Sequence, residues 1–183
     1  MYQWNEMPRQ LVPDRLLPFF SMITDVSRKR DYMNLAIQEA EKSDQAYTVG
    51  AILVKDNNLV GRGHREISSS KQGEELIDIV HAEDLTIQMA GEQASESILY
   101  STLEPCCYRR HNNNNNSYNP CVELIVSAGI SRVIIGMVDL NPKISGKGII
   151  ALHKAGIKVE YYNNGIERRL FSLVSRKRFE SQK

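Results

Sequence analysis

From Asp31 onward the hydrophobic positions of the chain switch repeatedly between a helical and a strand period. In "DYMNLAIQEAEKS", Met33, Ile37 and Ala40 fall on one face of a 3.6-residue helix. "VGAILVKDNNLVGRGH" reads as two strands about a tight turn at Asp56, Asn57 and Asn58. "IDIVHAEDLTIQMAG" is expected to be helical, with Gly91 as its stop. "SILYST" is a short strand, and "NPCVELIVSAG" is a helix with Pro120 in its first turn and Gly129 at its end. "SRVIIGMV" is a buried strand, "GKGIIALHKAG" a helix, "IKVEYY" a strand, and "GIERRLFSLVSRKRF" a closing amphipathic helix. Strands that alternate with helices predict an α/β fold, with a largely parallel sheet covered on both faces and one hairpin at its start. Residues 1–30 are punctuated by proline and read as an irregular N-terminal arm, with residues 31–183 as one domain.

Composition narrows the function classes. The chain has 183 residues, enough for one domain with a real core and no staples. A net charge of +1 supplies no field toward nucleic acid or a membrane surface, so neither is expected as a partner. No run approaches the ~18 apolar residues of a transmembrane helix. The N-terminus lacks the order of a signal peptide. Three cysteines are too few, and odd, for a disulfide scaffold. A reducing cytoplasmic setting is expected, where clustered cysteines bind metal or react.

The candidate chemistry lies in three short motifs. "HAE" at 81–83 opens a helix, "EPC" at 104–106 follows a strand, and "PC" at 120–121 opens the next helix. His81, Cys106 and Cys121 are the donors that zinc accepts, and three protein ligands leave a fourth position open, which is the catalytic arrangement. A thiolate is favoured at the positive end of a helix. Glu83, two residues beyond His81, is placed to move protons. A closed structural site with Cys107 or His111 as fourth ligand is the rival arrangement. Adjacent cysteines seldom ligate one ion in relaxed geometry, which disfavours Cys107. For Arg109, Arg110 and His111, a solvated charge cluster and a phosphate clamp are equally open.

The set H-x-E, P-C and a further Cys is the signature of zinc-dependent nucleobase deaminases. With "VGAILV", "LYSTLEPC" and the run from "NPCVELIVSAG" to "AGIKVE", the chain resembles the cytidine deaminase superfamily over residues 31–168. Within it, "MVDLNPKISGKG" is similar to the D-x-N-P-x-x-x-G-K-G segment of the riboflavin-biosynthesis pyrimidine deaminases, the deaminase domain of a bifunctional deaminase–reductase. The resemblance implies a three-layer α/β/α fold with a mixed five-stranded sheet. It implies Zn2+ on His81, Cys106 and Cys121, Glu83 as proton shuttle, and a homo-oligomer. It also implies substrate contacts at Asn141 and Lys147, and no reductase domain in this chain. The expected reaction is hydrolytic deamination of a small heterocycle, foremost the diaminopyrimidinone ribosyl phosphate of the riboflavin pathway. A nucleoside, nucleotide or tRNA-base deaminase and a non-catalytic zinc-stabilised module are the alternatives. The chain departs from the family where substrate is read. "AYT" at 46–48 replaces an Asn-Pro pair, leaving Thr48 as the candidate contact there. The loop between the cysteines is longer than the family's and carries five asparagines, 112–116. The link between Gly63 and His81 is longer and more acidic.

Overall fold

A computed structural model of the chain describes residues 14–45, 47–69, 77–108, 119–143, 145–162 and 165–175. A five-stranded mixed sheet lies at its centre, in the order β2-β1-β5-β6-β7. The strands are β1 (Gly50–Lys55), β2 (Asn58–His64), β5 (Ile98–Ser101), β6 (Arg132–Ile135) and β7 (Lys158–Tyr161). β1 is antiparallel to both β2 and β5, while β5, β6 and β7 run parallel. The sheet is therefore half antiparallel, not largely parallel, because the opening hairpin sets β1 against both of its neighbours. Asp56 and Asn57 make that hairpin turn with φ of 50° and 63°, which short polar side chains tolerate.

Strand alternation sorts the core into two layers. Ala51, Leu53, Leu99, Val133 and Ile135 face Ala82, Val122, Ile125 and Leu152, from helices α2 (Ala82–Ala90), α3 (Cys121–Ser127) and α4 (Lys147–Lys154). Ile52, Val54, Tyr100 and Ile134 face the opposite way. They meet Met33, Ala36, Ile37 and Ala40 of α1 (Leu17–Lys42) and Leu170 and Leu173 of α5 (Glu167–Ser175). This is the expected three-layer α/β/α arrangement. Gly50 is where α1 meets the sheet: a Cβ there would run into the Ala36 carbonyl and the Ala40 amide.

Two expectations are corrected. Residues 17–30 are not irregular: α1 begins at Leu17 and runs unbroken through residue 30, after a short 3-10 turn at Asp14–Leu16. Pro18 is its second residue, where the missing N–H is not needed. The helix predicted from Ile77 begins at Ala82 instead. Ile77–Val80 forms a strand, β4, paired antiparallel with β3 (Glu66–Ser69), with Ile67 opposite Ile79. No helix among the described residues is long and apolar enough to cross a membrane.

Candidate active site

Two helix beginnings and the turn after β5 converge to form the site. His81 stands at the N-cap of α2 with extended backbone (φ −81°, ψ 153°), and its carbonyl accepts from Asp84 and Leu85. Cys121 is the first residue of α3, after Pro120 at the cap. Cys106 ends the turn that leaves β5, and its carbonyl accepts from the Val122 amide. The ligand atoms of His81, Cys106 and Cys121 lie within 4.8 Å of one another. The His81 Nδ1 is 3.2 Å from Cys121 Sγ and 3.6 Å from Cys106 Sγ, and the two sulfurs are 3.4 Å apart. The Cys121 amide also donates to Cys106 Sγ at 3.4 Å. Hydrogen bonding from Cys121 first, and then from the His81 ring, outweighs the cost of burial and lowers the Cys106 thiol pKa to about 3, which favours the thiolate form. One imidazole nitrogen and two sulfurs in this tight, mostly buried group could hold a metal ion, and the donor types suit zinc.

Glu83 lies against the cluster. Its side chain is 3% exposed, and its Oε2 accepts from Cys121 Sγ at 3.5 Å. Its other oxygen accepts from the Ser101 hydroxyl at 3.0 Å. Burial raises the Glu83 pKa above the ordinary carboxylate range, with the His81 ring working against the rise. A buried carboxyl whose neutral form is favoured, set against the cluster, is placed to hold a proton and pass it on.

The remaining candidates divide. Thr48 is turned away from the cluster: its buried hydroxyl donates to the Leu173 carbonyl of α5 at 2.8 Å, on the far side of the sheet. Tyr47 takes the near side. Its hydroxyl is 3.4 Å from Asp139 Oδ1, the Arg65 guanidinium lies 5.5 Å from its ring centroid, and Arg65 also donates to its carbonyl. Burial raises the pKa of Asp139, opposed by the hydrogen bond from the Asn141 amide. Asn141 lies midway along the loop from β6 to α4 and Lys147 is the first residue of α4; both are exposed, and Asn141 Oδ1 accepts from the Lys143 amide. Arg109, Arg110, His111 and the asparagine run lie outside the described residues. Cys107 is half-buried and Tyr108 exposed.

Ser101, Glu104 and Tyr47 were not singled out in the sequence. Strand alternation could have found Ser101, since it shares a face with Leu99 and so with α2. Nothing local distinguishes Glu104, which is buried and, among the described residues, accepts from backbone amides far along the chain.

The site has known relatives. Residues 26–137 match the family model of the cytidine and deoxycytidylate deaminase zinc-binding region. Riboflavin biosynthesis protein RibD of Aquifex aeolicus is 38% identical over 144 residues, 76% of this chain and 35% of that protein. The chain thus spans about a third of the length of such RibD relatives. The diaminohydroxyphosphoribosylamino-pyrimidine deaminase of Buchnera aphidicola subsp. Schizaphis graminum is 35% identical over 156 residues, 78% of this chain and 96% of that one. Among solved structures, RibD of Acinetobacter baumannii superposes with a TM-score of 0.64 at 32% identity, covering 82% of this chain and 38% of that one. A match over more than half of the sequence, on a fold that brings the motif residues together, establishes that the chain belongs to the cytidine and deoxycytidylate deaminase zinc-binding family.

Proposed function

We propose that the chain is a zinc-dependent hydrolase that removes the 2-amino group of the diaminopyrimidinone ribosyl phosphate of riboflavin biosynthesis. The observation that carries this reading is the buried Glu83 carboxyl beside the His81–Cys106–Cys121 cluster. A scaffold without catalysis has no use for a desolvated acid against its metal ligands. The substrate assignment is supported by the Buchnera relative, matched over nearly its whole length, and by the "DLNPKISGKG" segment.

In this proposal His81, Cys106 and Cys121 hold the metal. Bound zinc supplies a Lewis acid that brings the pKa of water to about 7. Glu83 takes a proton from the attacking water at one carboxylate oxygen and delivers it to the ring nitrogen. It then takes the proton of the newly added hydroxyl and passes it to the amino nitrogen, so that the C–N bond breaks, the carbonyl forms and ammonia leaves. Ser101 fixes the carboxyl plane by its bond to Oε1, which leaves Oε2 on the cluster side. Asn141, from the loop before α4, and Lys147, at the start of α4, contact the substrate, and Arg109, Arg110 and His111 meet its phosphate.

The test is ammonia release by zinc-loaded protein on a panel holding the riboflavin-pathway intermediate, cytidine, deoxycytidine monophosphate, adenosine and guanine. Turnover of the first compound is expected, and Glu83→Ala should lower it by about 10²–10⁴-fold with zinc still bound. Equal turnover in that variant would remove Glu83 from the chemistry. Turnover of another compound alone would overturn the substrate assignment.

A further inference from the structure

We propose that Glu104 is a positioning residue. It ties the loop between β6 and α4 to the turn that carries Cys106, and through that loop it sets substrate affinity. This inference rests on the deaminase reading above for its substrate, though not for its geometry. Glu104 is a buried acid, 2% exposed, and each of the hydrogen bonds its carboxylate accepts comes from a backbone amide. Oε2 accepts from Asp139 at 3.2 Å, within the loop, and from Gly146 at 2.9 Å, its last residue. Oε1 accepts from Gly148 at 2.8 Å and Ile149 at 3.2 Å, in the first turn of α4. Two oxygens offer about four lone-pair sites, and four donors fill them. The Glu104 amide adds a fifth tie, donating to the Met137 carbonyl at 2.8 Å.

The first amides of a helix need an acceptor, and a residue at the N-cap ordinarily supplies it. Here the N-cap is Gly146, which has no side chain to offer. The acceptor comes instead from more than forty residues upstream, two positions before a cluster cysteine. A local Ser or Asp could cap α4 as a helix, but it would not join α4 to the metal turn. Close packing reinforces the joint: a Cβ on Gly148 would run into the Pro105 carbonyl and lie 3.1 Å from Glu104 Oε1. The loop so held bears Asp139, beside Tyr47, and Asn141, and Lys147 follows it as the first residue of α4.

The decisive variant is Glu104→Gln in the full chain, zinc-loaded. Glutamine keeps the shape, but its amide nitrogen would face two N–H donors. The expected result is a KM raised about tenfold or more, the size of one lost hydrogen bond to a charged group. The kcat should stay within about threefold, and the zinc content should be that of the parent. Amide hydrogen exchange should quicken across 139–149 and stay slow in α2 and β5. Glu104→Asp, which keeps the charge on a shorter stem, should fall between the two and serves if the glutamine variant does not fold. An unchanged KM with unchanged exchange at 139–149 would overturn the proposal. So would loss of zinc in step with activity, which would make Glu104 a support for the cluster alone. If the parent is silent on every substrate, the deaminase reading fails, and exchange at 139–149 alone decides whether the tie exists.

Discussion

Ser101 shows how much one hydroxyl can settle. It is fully buried at the end of β5, and its bond to Glu83 Oε1 is the contact that orients the acid from the sheet side. Ser101→Ala removes a hydrogen bond to a charged or partly charged group, worth about 1.5–3 kcal/mol. On the proposed reaction we expect turnover to fall about 10- to 100-fold with zinc content and circular dichroism unchanged; steady-state kinetics on the zinc-loaded variant checks it. An unchanged kcat would mean that the cluster alone orients Glu83. The metal ligands and Glu83 were legible in the sequence because each sits in a motif of two or three residues at the start of a helix or the end of a strand. Ser101 and Glu104 were not, because their partners lie 18 to 45 residues away. Thr48 was a parity error. Counting back from Ala51, which faces α2–α4, the residues on the cluster side are Val49 and Tyr47, while Thr48 points with Ile52 toward α1 and α5.

At the scale of elements, local periodicity placed the five strands of the central sheet and the five described α-helices, two of them with the wrong start, and it misjudged what depends on pairing or on position within a turn. "IDIV" looks like the lead-in to a helix because it abuts "HAEDL", yet its residues are taken by β3 through a pairing that no local window contains. The prolines of residues 1–30 suggest an irregular arm, whereas Pro18, at the second position of a helix, is an acceptable start. The joint between α1 and the sheet was also hidden, since a strand glycine ordinarily marks a bulge or close approach without saying to what. At Gly50 the neighbour is the α1 backbone itself, which cannot rotate out of the way as a side chain can. Gly50→Ala should therefore destabilise by about 1–3 kcal/mol or more. Urea unfolding followed by circular dichroism would measure it, and a midpoint equal to the parent's would show that α1 can move off β1.

At the scale of the whole molecule, the site exists because α2, α3 and α4 all begin at the same end of the sheet, and α1 must hold the sheet's other face. An ion pair joins the long helix to the far edge. Lys29 of α1 reaches Glu160 on β7 at 3.0 Å, where Arg132 of β6 and Lys158 also approach, at 3.5 and 2.9 Å. Hydrogen bonding from Lys158 and then Lys29 outweighs the cost of burial and lowers the Glu160 pKa to about 2. A carboxylate whose pKa is depressed on folding stabilises the fold fully above the ordinary value of about 4.3 and loses that contribution as pH falls toward the folded-state value. Glu160→Gln should thus lower Tm at pH 7. Pairs this near the surface are worth about 1 kcal/mol at most, or roughly 2–4 °C for a chain of this size. The gap from the parent should narrow steadily as pH drops below about 4.3, down to the lowest pH at which the parent still folds. Added salt should shrink the gap at pH 7, because charges open to solvent are screened. A gap independent of pH and salt would mean that Glu160 contributes by packing, and that α1 is held to the sheet by its apolar face alone.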